Sequence, residues 1–153
     1  MFTDLVGFSR NVAEFDIIRF LEIIYKQKDL LLPIVSDHDG ILIKMEADSF
    51  LIIFRRPERG LSCANAMQQA CQRFSSELQA EEKLLLCIGL GYGEILRTGD
   101  LDVWGAEVNA ASKLEEDAAI AHQILVTGGP KRCVVRAAAR CFLRRGGSGD
   151  SWR

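Results

Sequence analysis

Apolar positions along the chain recur with two different periods, and the switches between them divide it into elements. From Asp16 to Val35 the residues Ile17, Phe20, Leu21, Ile24, Leu31 and Val35 fall at helical spacing, which predicts an amphipathic helix with Asp16 as its N-cap. Pro33 lies late in this stripe and is expected to kink it. Asp37-His38-Asp39-Gly40 reads as a turn. Two β-rich runs follow, Ile41 to Met45 and Phe50 to Phe54, joined by Glu46-Ala47-Asp48-Ser49 as a hairpin. A second helix is predicted over 58–79, with Ala64, Met67, Ala70, Cys71 and Phe74 on one stripe. Leu84 to Leu90 is almost wholly apolar, the mark of a strand buried on both faces.

At the start, Met1 to Phe8 reads as the end of a strand that turns at Gly7 into a helix. So short a first strand leads us to expect that the natural chain begins further upstream. Beyond Leu90, residues 94–104 suggest a short irregular or hairpin segment. Ala106 to Ala119 reads as a third helix, Gln123 to Val126 as a further strand, and a short helix is expected from Pro130. The order up to Leu90 is β-α-β-β-α-β. That is the split βαβ arrangement of ferredoxin-like folds: an α+β class with an antiparallel sheet and helices on one face, here with a C-terminal helix and strand extension. One domain is expected over 1–143, and the glycine-rich 144–153 reads as a flexible tail.

Composition narrows the classes. A chain of 153 residues with 48% hydrophobic and 26% charged residues describes one globular domain, which excludes disordered and fibrous classes. A net charge of −2 argues against a dedicated nucleic-acid binder. The longest apolar candidate, Ile17 to Val35, is broken by Arg19, Glu22, Lys26, Lys28 and Asp29, so no membrane span is expected. Five cysteines without a CxxC pair read as reduced thiols packed as small hydrophobes, which fits a cytoplasmic protein. His38 and His122 have no second ligand near them in sequence and are read as structural.

Three places carry candidate chemistry. Asp4 stands at a strand end before Gly7 and a helix start, where backbone N–H groups can face a phosphate and the carboxylate can hold its cation. Asp48 stands at the hairpin tip, which the split βαβ order brings near the end of the first strand. Two carboxylates meeting there repel unless cations lie between them, and oxygen ligands of this kind suit Mg²⁺ or Mn²⁺. Asn109 and Lys113 are four apart on the third helix, opposite the apolar stripe of Val108, Ala111 and Leu114. An amide and an ammonium there suit a sugar oxygen and a developing phosphoryl charge. Taken singly, Asp4 reads more simply as an N-cap, Asp48 as a turn residue, and the helix pair as a solvated face.

Together the motifs resemble a known family. Phe2-Thr3-Asp4-Leu5-Val6-Gly7-Phe8-Ser9 resembles the FTDIVGFT signature of class III adenylyl and guanylyl cyclases. Lys44-Met45-Glu46-Ala47-Asp48 resembles that family's KxxGD hairpin, and the stretch from Asp102 to Lys113 resembles its DxWGxxVNxAxR segment, in the form VNxASK of some bacterial relatives. The resemblance implies that Asp4, Asp48 and the Leu5 carbonyl bind two Mg²⁺ or Mn²⁺ ions per site, and that backbone amides of Val6, Gly7, Phe8 and Ser9 hold a triphosphate. It implies that Lys44 and Asp102 read the base, in the donor and acceptor sense of adenine, and that Asn109 and Lys113 serve catalysis. It implies conversion of ATP to 3′,5′-cyclic AMP and pyrophosphate in a homodimer whose sites take metal ligands from one chain and Lys44, Asp102, Asn109 and Lys113 from the other. An upstream sensor or regulatory domain in a longer chain is a family expectation.

The sequence departs from the family pattern at Lys113, where Arg is usual, and at Ala47, where the hairpin has glycine. The segment from Gly93 to Asp102 is short, and no C-terminal lysine stands ready for the triphosphate. Lys113, Ala47 and the missing lysine favour the alternative of a catalytically weak or inactive nucleotide-binding regulatory domain, while the short segment bears on the base pocket. Another alternative is a cyclase acting on GTP or a pyrimidine triphosphate.

Overall fold

The computed structural model describes residues 1–7, 17–76, 78, 83–99, 102–117, 120–127 and 133–136. Its elements are β1 (Phe2–Leu5), α1 (Ile17–Asp37), β2 (Ile41–Glu46), β3 (Ser49–Ile53), α2 (Pro57–Ser75) and β4 (Leu86–Leu90), then β5 (Leu96–Thr98), β6 (Asp102–Trp104), α3 (Ala106–Asp117), β7 (Gln123–Val126) and β8 (Cys133–Arg136). The main sheet runs β2-β3-β1-β4-β7-β8, with β5 and β6 forming a separate two-stranded hairpin. Its first four strands are antiparallel in the split βαβ order, with β1 central between β3 and β4. The extension makes the sheet mixed, because β7 joins β4 in parallel.

Alternation along the strands decides which side chains enter the core. Met1, Leu5, Phe50, Ile52, Leu86, Ile88 and Ile124 point to one face and pack against Ile23, Leu31 and Val35 of α1 and Cys63, Ala64, Met67 and Cys71 of α2. Leu31, Phe50, Ile52, Met67, Leu86 and Ile88 are fully buried, each contributing roughly 1.5–3 kcal/mol by its removal from water. The two core helices thus share one face, as the split βαβ order requires. The extension helix α3 lies on the opposite face, where Leu114 packs on Cys87 and Leu125. This second layer is what a strand apolar on both sides needs.

Two local devices hold the layers in place. Gln68 of α2, fully buried, donates from Nε2 to the carbonyls of Leu86 (2.9 Å) and Gln123 (3.2 Å), tying the helix to β4 and the start of β7. Gly91 lets α3 press on the chain leaving β4, since a Cβ there would lie 2.4 Å from the Glu107 carbonyl oxygen. Helix α1 runs through Pro33 to Asp37 without interruption. Its expected N-cap, Asp16, lies outside the described residues, as does the tail 144–153.

The expected helix after Pro130 is corrected: Cys133–Arg136 is a strand, paired antiparallel with β7 from Val126↔Cys133 to Gln123↔Arg136. Val134 and Val135 are β-branched, and the far edge of β7 offers them a ladder of unpaired backbone groups. His122 has a structural role, as expected. It adopts φ 66° in the turn entering β7, and its N–H donates to the Leu86 carbonyl at 2.9 Å. No helix among the described residues is long and apolar enough to cross a membrane.

Candidate active site

Asp4 and Asp48 come together because β1 and β3 are neighbours. Thr3 pairs with Phe50, so the end of β1 lies beside the turn between β2 and β3. Phe2 and Asp4 point away from the α1–α2 core, while Thr3 and Leu5 point into it. The turn reaches its tip through Ala47, which takes the left-handed φ of 50°. This is the conformation that makes glycine the favoured residue there, and Ala adopts it at a cost of roughly 1–2 kcal/mol.

Hydrogen bonds fix the pair. The Leu5 N–H donates to Asp48 Oδ2 at 3.3 Å, and Ser49 Oγ donates to Asp4 Oδ1 at 3.0 Å. The fully buried Gln27 of α1 donates from Nε2 to the Asp48 main-chain carbonyl at 2.7 Å. Burial, and then the adjacent Asp4 carboxylate, push Asp48 up from its ordinary 3.8 to about 7. Two close carboxylates, one of them reluctant to ionise alone, form a donor set that a divalent cation relieves. No group of three acidic, histidine or cysteine side chains gathers among the described residues. A pair suits Mg²⁺, which is commonly held by one or two carboxylates together with substrate phosphates.

The second constellation lies in a groove on the same side of the sheet as α3, lined by Phe2, Lys44, Glu46, Asp102, Trp104 and Asn109. Lys44 reaches it through an irregularity in β2: the register shifts between Leu42, opposite Ile52, and Lys44, opposite Leu51. Such a bulge re-aims the side chains that follow it. Lys44 Nζ pairs with Glu46 Oε1 at 2.7 Å. The hydrogen bond to Glu46, then the charges of Glu46 and Asp102, hold the ammonium above its ordinary value. Asp102 opens β6 and accepts the Val103 N–H on Oδ1 at 2.9 Å. Asn109 and Lys113 are both exposed on α3, while Ala111 and Leu114 are buried beneath them.

Lys44, Asp102 and Asn109 therefore share one groove, with Lys113 one turn further along α3. Asp4 and Asp48 are not in the groove lining themselves but adjoin it, since Ser49, which lines the groove, donates to Asp4 Oδ1. Val6 lies beyond β1, and its N–H donates to the Leu85 carbonyl at 2.8 Å, so that amide is committed within the protein. Gly7 is exposed with φ 81°. Phe8 and Ser9 lie outside the described residues. Sequence reasoning did not single out Gln27, Ser49 or Glu46. Ser49 was within reach of it, as a hydroxyl directly following Asp48.

Comparison with known proteins identifies the family. Serine/threonine-protein kinase pkn2 of Myxococcus xanthus is 31% identical over 100 residues, covering 65% of this chain and 12% of that protein. Putative adenylate cyclase 3 of Rhizobium meliloti (strain 1021) is 30% identical over 112 residues, covering 73% of this chain and 19% of that protein. The chain thus spans under a fifth of the length of either relative. Among solved structures, an adenylate/guanylate cyclase/hydrolase from Silicibacter pomeroyi is 28% identical with a TM-score of 0.66, over 81% of this chain and 70% of that one. The profile of the adenylate and guanylate cyclase catalytic domain matches residues 1–145, and to that family this chain belongs.

Proposed function

We propose that the domain converts ATP to 3′,5′-cyclic AMP and pyrophosphate, with Mg²⁺ or Mn²⁺, at two equivalent sites of a homodimer. The observation that carries this reading is that one chain holds both a close carboxylate pair at the end of β1 and a groove with Lys44, Asp102 and Asn109. In this reading each site takes the carboxylate pair from one copy and the groove from the other. Exposed apolar side chains on the segment around the β5–β6 hairpin, Tyr92, Ile95, Leu96 and Trp104, are surface that such a partner would cover.

In this reading Asp4, Asp48 and the Leu5 carbonyl hold the metal ions. When bound, these ions lower the pKa of the ribose 3′-hydroxyl and offset phosphate charge. The chain's own residues do the rest. Lys44 donates to adenine N1, and Asp102 accepts from the 6-amino group. The Asn109 amide holds a ribose oxygen, which places the 3′-oxygen in line with the α-phosphate. Lys113 brings positive charge to the oxygens on which negative charge builds as pyrophosphate departs. The exposed turn at Gly7 lets the backbone approach the triphosphate closely.

The test is incubation of the purified protein with ATP, GTP, CTP and UTP in turn, with Mn²⁺ or Mg²⁺, and identification of cyclic products by mass spectrometry. Cyclic AMP is expected from the wild type and none from Asp4→Ala, whose dimer stays intact. A different dominant cyclic product would overturn the base assignment. No cyclic product at all would overturn the catalytic one.

A further inference from the structure

Buried glutamines are costly in a hydrophobic layer unless their amides are used. Gln27 is 0% exposed on α1, and its Oε1 has no hydrogen-bond partner. An apolar side chain of the same length would avoid that unpaired oxygen, which carries a desolvation penalty. What Gln27 does make is one short bond, from Nε2 to the main-chain carbonyl of Asp48 at 2.7 Å. It ends on the residue whose carboxylate faces Asp4, in a turn where Ala47 is held at φ 50°. The same carboxylate accepts the Leu5 N–H at 3.3 Å. Asp48 is thus held from two sides, by β1 through its side chain and by α1 through its backbone.

We infer that Gln27 is a positioning residue for the metal carboxylates: its amide anchors the hairpin tip to α1 and thereby sets the approach of Asp48 to Asp4. This rests on the two-metal reading proposed above. Groups that orient metal ligands from behind commonly change metal affinity about tenfold to a hundredfold when removed. Gln68 supplies an internal control. It is equally buried, it too leaves Oε1 unpaired, and its amide bonds Leu86 and Gln123 rather than the hairpin. If buried glutamines here serve only to satisfy backbone carbonyls, the two should behave alike.

The test compares Gln27→Met and Gln68→Met with the wild type, in thermal melts and in calorimetric titration with Mn²⁺ alone, without nucleotide. For Gln27→Met the apparent Mn²⁺ Kd should rise about tenfold or more, and the Mn²⁺-induced rise in Tm should shrink accordingly. Gln68→Met should keep the wild-type Kd whatever its Tm. Gln27→Asn, which keeps an amide but is one methylene too short for the Asp48 carbonyl, should match Gln27→Met and serves if the latter does not fold. Wild-type Mn²⁺ affinity in both Gln27 variants would overturn the inference and leave the two-metal reading standing. A wild type that binds no Mn²⁺, either alone or in the presence of 3′-deoxy-ATP, would overturn both.

Discussion

Replacing Asp48 by Asn in the metal-free protein tests the electrostatics of the carboxylate pair without reference to turnover. Asn keeps an acceptor for the Leu5 N–H and removes the charge. Burial and Asp4 raise the Asp48 carboxyl from 3.8 to about 7, so the folded chain holds this proton where the unfolded chain has released it. A carboxyl raised in this direction leaves folding at its most favourable below the unfolded value, and stability falls as pH climbs through the window from about 4 to about 7. At ~1.36 kcal/mol per pH unit, the whole displacement sets a ceiling of about 4 kcal/mol. The carboxylate sits at a hairpin tip beside the exposed Glu46 and Ala47, so solvent screens part of this, and about 1–2 kcal/mol is the expected loss. The assay is urea unfolding followed by circular dichroism from pH 5 to pH 8 with EDTA present. Asp48→Asn should be more stable than the wild type at pH 8 by about 1–2 kcal/mol, and the gap should narrow towards pH 5. Saturating Mn²⁺ at pH 8 should reverse the order, raising the wild type by about 2.7 kcal/mol at a hundredfold excess over Kd. A gap that does not change with pH would refute the reasoning, as would an Asn variant weaker than the wild type at pH 8.

Three further outcomes are expected. Ala47→Gly should raise stability by roughly 0.5–1 kcal/mol in chemical denaturation, because the relief of a positive φ outweighs the added freedom of the unfolded chain. Gly91→Ala should cost about 1–3 kcal/mol in the same assay, since its Cβ would collide with the Glu107 carbonyl of α3. Lys113→Ala should lower kcat about a hundredfold or more in steady-state kinetics with little change in KM, and equal loss in both parameters would count against a role in the transition state.

Much of the fold was legible because periodicity carried it: α1, α2, the hairpin and β4 all follow from apolar spacing. The sequence even implied a second covering layer, since Leu84 to Leu90 has no polar face, although which element supplies it depends on where α3 docks. β8 was missed because Pro130 suggests a helix start, whereas the pairing that makes 133–136 a strand comes from β7, a contact no local pattern records. The motif positions of Asp4, Asp48, Lys44 and Asn109 were readable, but their grouping was only partly so. The irregularity between Leu42 and Lys44 that aims the lysine is set by cross-strand register. Gln27 was invisible because a glutamine in a helix ordinarily reads as solvated, and only the tertiary fold puts it at 0% exposure beneath the hairpin.

The alternation of β1 has a consequence for how this domain tolerates change. Met1, Thr3 and Leu5 are buried on the core side, while Phe2 and Asp4 face the other way. Even and odd positions of one short segment thus answer to different demands, the odd ones to folding and the even ones to chemistry. A slip of one residue against β3 would carry Asp4 into the hydrocarbon layer and present Thr3 or Leu5 to the hairpin tip. Errors of register are therefore filtered twice, since the same shift that buries a charge also dismantles the carboxylate pair. Strand pairing in this domain thus acts as a proofreading step for its own site.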